Sequence, residues 1–81
     1  MTIEEYMNLP IIDENERVVV LTSDINHRPL FKGLLCNVPI DLLTEEIWTV
    51  SALDAPYIKK YYLNSQLGWT GLFLDRSDDD M

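Results

Sequence analysis

Val18 to Leu21, inside the run RVVVLTS from Arg17 to Ser23, contains no polar side chain. A strand covered on one face alternates apolar and polar positions, so an unbroken run of β-branched residues describes a strand buried on both faces. Asp24 to Pro29 supplies turn residues and Leu30 to Cys36 resumes an extended pattern, which together predict an antiparallel hairpin. On that second strand Phe31, Gly33 and Leu35 share one face, and Leu30, Lys32, Leu34 and Cys36 share the other. Gly33, in the strand interior, marks a bulge or a large neighbour crossing close by.

Helical spacing frames this hairpin. Thr2 and Glu5 have the form of a capping box, and Ile3, Tyr6 and Met7 lie on one face of a short helix running from about Ile3 to Leu9. Pro39 at a first helical position and Asp41 in the same turn predict a brief crossover helix through Leu43, with Glu45 and Glu46 at its exposed end. Ile47 to Leu53 and Trp69 to Asp75 read as further strands. Between them, Asp54 to Gly68 is a poor strand, because Lys59 and Lys60 would spoil both faces. As a helix over residues 55–67 it gathers Tyr57, Ile58, Tyr61 and Tyr62 on one arc, with Asp54 as cap, Pro56 in the first turn and Gly68 at the end. The expected fold is α+β: a mainly antiparallel sheet of three to four strands, packed by the N-terminal helix. Residues 1–75 form its single domain and 76–81 a flexible acidic tail.

Size and composition narrow the function. Eighty-one residues allow one small core, which the aromatic residues help to fill. Lone Cys36 excludes an internal disulfide, the N-terminal segment is acidic, and no apolar run is long enough to cross a bilayer. A cytoplasmic protein is expected. The net charge of −8 lies entirely at the two ends, since the acids and bases between Arg17 and Leu74 balance. Such a charge opposes binding to nucleic acid or an anionic membrane and favours a protein partner with a basic surface. Glu4 and Glu5, held on the first helix, are the acids expected to carry such binding, joined by Asp13, Glu14 and Glu16, while the tail adds only long-range attraction.

The remaining candidate chemistry is sparse. Cys36 and His27 are the only thiol and imidazole, and a strand separates them, so no nucleophile and base pair is expected; Cys36 reads as a buried, inert residue. His27 alone makes no zinc site, and the three glycines form no phosphate loop. No cofactor, metal or catalytic residue is assigned. Tyr57, Lys59, Lys60, Tyr61 and Tyr62, with Trp69, are the one concentration of interface-type residues. A stripe of tyrosines at helical spacing ordinarily faces a core, but phenolic hydroxyls need partners or water, so part of the stripe should be exposed. The tyrosines should matter more to binding than the lysines at the rim.

The opening TIEEYMNLP, the FKG containing Phe31 and Gly33, the pair Val38 and Pro39, and VSALDA from Val50 to Ala55 resemble a family of small uncharacterised phage and mobile-element proteins of low-GC Gram-positive and gut bacteria. The resemblance implies a fold and a genomic setting, without a reaction. In that family the last hairpin closes soon after VSALDA, whereas here Pro56 to Leu67 intervenes. The expected function is a non-enzymatic acidic binding protein, an inhibitor covering a basic surface of a host nucleic-acid-handling protein as anti-CRISPR and antirestriction proteins do. The alternative is a structural or self-associating accessory domain.

Overall fold

Residues 1–23 and 27–76 are described by the structure, a computed structural model. Strands β1 (Arg17–Leu21), β2 (Pro29–Leu34), β3 (Ile47–Ala52) and β4 (Thr70–Leu74) form one sheet in the order β2-β1-β4-β3. The outer pairs are antiparallel and the central pair, β1 with β4, is parallel. The expected α+β class and strand number hold, with a mixed sheet.

The apolar run of β1 takes a central position, as its pattern requires. Val18 and Val20 point to one face with Leu72 and Leu74 of β4, where Ile3 and Tyr6 of helix α1 (Ile3–Met7) pack with Leu35 and Val38. Val19, Leu21 and Phe73 point to the opposite face, where Leu53, Tyr61 and Leu63 cover them. Each fully buried side chain of this size contributes ~1.5–3 kcal/mol relative to exposure, so both layers are needed by so small a domain.

Helix α1 is only five residues long, too short to persist alone. Its capping box is formed: Glu5 N–H donates to Thr2 Oγ1 at 3.2 Å, and Thr2 N–H donates to Glu5 Oε1 at 2.9 Å. Tyr6 ties the helix to the sheet. Its hydroxyl donates to Glu16 Oε2 at 3.0 Å, while Thr70 Oγ1 on β4 donates to Glu16 Oε1 at 3.1 Å. Burial, reinforced by Glu16, pushes the Tyr6 phenol up to about 12.

Several expected boundaries move. β2 stops at Leu34, and Leu35–Asn37 form a turn of 3-10 helix, held by Leu35 N–H on Glu16 O and Cys36 N–H on Glu14 O, each at 2.8 Å. This turn buries Leu35 and leaves Cys36 exposed, which corrects the expectation of a buried thiol. Gly33 has φ +154°, and a Cβ there would lie 3.2 Å from the Phe31 ring, so a large neighbour explains it; the register shift lies between Val20 and Leu21 instead. Helix α2 (Ile40–Leu43) is the expected crossover. Beyond it Glu46 bridges Thr2, and half-buried Glu45 pairs with Arg76 at 2.9 Å. Arg76 O also accepts Ser23 N–H at 2.9 Å, which anchors the residue placed at the start of the tail. Residues 77–81, the rest of that expected tail, and 24–26 of the expected turn lie outside the described residues.

Helix α3 departs most. It covers only Ala55–Lys60, ending well before the expected residue 67, and Asp54 stands at its N-cap without a side-chain hydrogen bond.

Candidate interaction site

The short α3 decides how the tyrosines are used. Tyr61 is its C-cap and Tyr62 follows with φ +57°. Tyr62 N–H donates to Lys59 O at 3.3 Å, and Leu63 N–H donates to Ile58 O at 2.9 Å. These bonds form a Schellman motif, and Ile58 and Leu63 supply its apolar contact on the sheet. The position occupied by Tyr62 is the left-handed one that glycine fills most easily.

The single arc expected for the tyrosines is therefore broken. Tyr57 is half-buried, stacked on Tyr61 with centroids 6.2 Å apart and edge-on to Phe73. Tyr61 is 8 % exposed, and its hydroxyl donates to His27 O. Burial raises the pKa of that phenol. Both rings serve the core. Tyr62 is 90 % exposed.

Among the described residues, two depressions flank Tyr62 and both are lined by it. One, of about 730 Å³, is formed by Leu53, Ile58, Lys59, Leu63, Leu67 and Trp69. The other, of about 350 Å³, lies among Val19, Pro29, Lys32, Lys60 and Tyr61. Trp69 is fixed in the larger cleft's wall by its indole N–H, which donates to Asn64 O at 3.1 Å, and Asn64 Oδ1 accepts Gln66 N–H at 2.9 Å. Lys32 Nζ donates to Tyr61 O at 3.4 Å, and Lys60 Nζ lies 5.4 Å from the Tyr61 ring centroid. Every lysine of the chain thus borders Tyr62.

Glu4 and Glu5 are exposed, but on α1, across the sheet from Tyr62. The Thr2 backbone N–H holds Glu5 below the usual carboxylate range, so this acid already serves the helix cap. Glu16 is likewise occupied by Tyr6 and Thr70. Glu4, Asp13 and Glu14 remain exposed. The expected binding residues therefore fall into separate groups on opposite faces, and one flat partner surface cannot cover both.

His27 also has a positive φ, +46°. Its ring packs edge-on to Phe73 at 5.1 Å, and Nδ1 lies 3.2 Å from Thr22 O. Cys36 is beyond the other end of β2, so the two do not meet. Among the described residues no three of His, Cys, Asp or Glu converge as a metal-binding group, and no helix is long and apolar enough to cross a membrane. Trp48, expected to add buried area, is instead 62 % exposed on edge strand β3. Asn64 and Ser65, ordinary turn formers, were the sequence signal that α3 ends early.

Compared with family models, curated proteins and solved structures, the chain gives no match.

Proposed function

We propose that this protein acts by binding another protein, without catalysing a reaction, and that the face around Tyr62 is its contact surface. One observation carries the reading: a bulky, 90 % exposed tyrosine occupies a left-handed position that glycine would fill with less strain. The fold gains nothing from the exposed ring, whereas exposed aromatic side chains beside apolar depressions are typical anchors of protein contacts. Replacing Tyr62 by glycine tests it. The variant should remain folded and lose partner binding, and a folded variant that binds its partner normally would defeat the proposal.

A second reading rests on the α1 side. Glu4, Asp13 and Glu14 are exposed there, and the mobile-element resemblance favours an acidic inhibitor that covers a basic surface. Glu4→Lys with Glu14→Lys leaves the capping box intact and should abolish such binding, with strong salt dependence. Binding that tolerates this pair and fails in Tyr62→Gly excludes the acidic surface. A self-associating accessory domain would reveal itself as a concentration-dependent mass in sedimentation equilibrium.

A further inference from the structure

We infer that the Tyr62 surface takes an acidic peptide segment of a partner protein, with an apolar side chain of that segment seated beside Tyr62 and its carboxylates meeting the surrounding lysines. The inference deepens the Tyr62 reading above and rests on it. Its basis is a local reversal of charge. The chain has a net charge of −8, yet Lys32, Lys59 and Lys60, all of its lysines, border the clefts, and among the described residues no Asp or Glu lines either one. Exposed Asp54 stands between the lining residues Leu53 and Ala55, at the opposite end of α3 from Tyr62, and Asp13 and Glu16 line a separate depression across Trp69, so the basic character is confined to the Tyr62 end.

The lining chemistry narrows the ligand. Leu53, Ile58, Leu63, Leu67 and Trp69 offer an apolar floor that suits a leucine or aromatic side chain. Lys59 borders this cleft, Lys32 and Lys60 border the other, and Tyr62 lines both, so one segment crossing Tyr62 runs between lysines on its two sides. A nucleic acid fits less well. Its charge is carried on every nucleotide and would meet the repulsion of the whole molecule, while the aliphatic floor offers phosphates nothing. At a distance the net charge also opposes an acidic peptide, but solvent-exposed charges are screened beyond ~8 Å at physiological ionic strength, and the lysines act inside that range.

Selection from a random peptide library on the immobilised protein, followed by titration of the enriched peptides, tests this. Enriched sequences should combine Asp or Glu with Leu, Phe or Trp. Tyr62→Gly should weaken them roughly 30-fold or more, as loss of a central aromatic anchor does. Lys59→Glu with Lys60→Glu should weaken the acidic peptide and strengthen its Glu-to-Lys counterpart, a reversal that mere damage to α3 would not produce. Thermal unfolding of both variants checks that they remain folded. Enrichment of basic peptides that still depend on Tyr62 would overturn the ligand chemistry and leave the surface reading intact. Enrichment of peptides indifferent to Tyr62→Gly, or of none, would overturn both. Tighter binding of a single-stranded oligonucleotide than of any peptide at equal salt would overturn the inference, as would a dimer that dissociates in Tyr62→Gly.

Discussion

The two faces of the sheet are closed by short helices of similar size, but they use their polar residues differently. On the α1 face the main polar groups are spent on structure: Thr2 and Glu5 cap the helix, while Tyr6 and Thr70 both donate to Glu16. On the α3 face Asp54 provides no side-chain cap, the helix ends after Lys60, and Tyr62 projects outward in a left-handed conformation. The first arrangement is what stability alone would select. The second retains strain of ~1–2 kcal/mol, the usual penalty for a side chain in the left-handed region. The left-handed turn itself closes α3, but glycine would close it with less strain, and a tyrosine kept there separates a working surface from a supporting one.

Removing core volume should give the largest effects and expose this asymmetry. Ile3→Ala removes a fully buried side chain enclosed between α1 and the sheet, and is expected to lose ~2–5 kcal/mol. Leu63→Ala should fall at the low end of that range, because Leu63 borders the open cleft and the site can relax or admit solvent. Urea unfolding of both variants measures the difference. Equal losses would mean that the α3 face is as tightly closed as the α1 face.

Tyr6→Phe probes the polar clamp on the supporting face. Glu16 keeps its bond from Thr70, so the loss near neutral pH should be ~1.5–3 kcal/mol, the usual net value of a hydrogen bond to a carboxylate. At high pH the balance changes. A phenol whose pKa is raised from 10.0 in the unfolded chain to about 12 in the fold contributes stability that is complete below 10 and lost as pH rises through 12. Tyr6→Phe should therefore be less sensitive to alkali across that window, with the remaining slope belonging partly to Tyr61, also raised. An unchanged alkaline slope in urea midpoints would show that Tyr6 ionises freely.

Residues whose local pattern and burial agree were legible in the sequence. Val18 to Leu21 announced a central strand, Thr2 and Glu5 a helix start, and Pro39 with Asp41 the crossover, because each needs only neighbours in the chain. The parallel pairing of β1 with β4 was not legible, since it depends on where a distant strand inserts. Cys36 was misplaced by extending the two-residue period of β2 past Leu34, where the chain turns so that Leu35 can fill the core. The Tyr and Lys cluster was visible as composition, but its division into core Tyr57 and Tyr61 and surface Tyr62 depends on the end of α3. A helix continued to residue 67 would have hidden the feature that sets Tyr62 apart.

Tyr62→Gly has a smaller expected effect on stability, and of opposite sign. Glycine removes the left-handed penalty but adds freedom to the unfolded chain, so a net gain of about 1 kcal/mol or less is expected. A raised unfolding midpoint together with lost peptide binding would show stability exchanged for function at one residue. A lowered midpoint would mean that the Tyr62 ring supports the fold after all, and the contrast between the faces would disappear.

The smallest effect is expected at Cys36, and it tests whether the faces act independently. The thiol is exposed on the turn that packs Leu35 into the α1-side core, and its backbone N–H is fixed on Glu14 O at 2.8 Å. Among the described residues its side chain approaches Asn37 Oδ1 at 3.8 Å, so Cys36→Ser should change stability by no more than ~0.5 kcal/mol, as at other surface positions. A maleimide reagent should label the native wild-type protein quickly, without prior unfolding. The labelled protein is then a steric probe: a bulky group at Cys36 should leave binding at Tyr62 within about twofold of the unlabelled value, because Cys36 lies past the end of β2 in the turn that packs Leu35 on the α1 face, away from the clefts beside Tyr62. It should also block any partner that docks against Glu14. Labelling that abolishes peptide binding would place the peptide on the wrong face, whereas slow labelling would mean that the turn closes over Cys36 in solution.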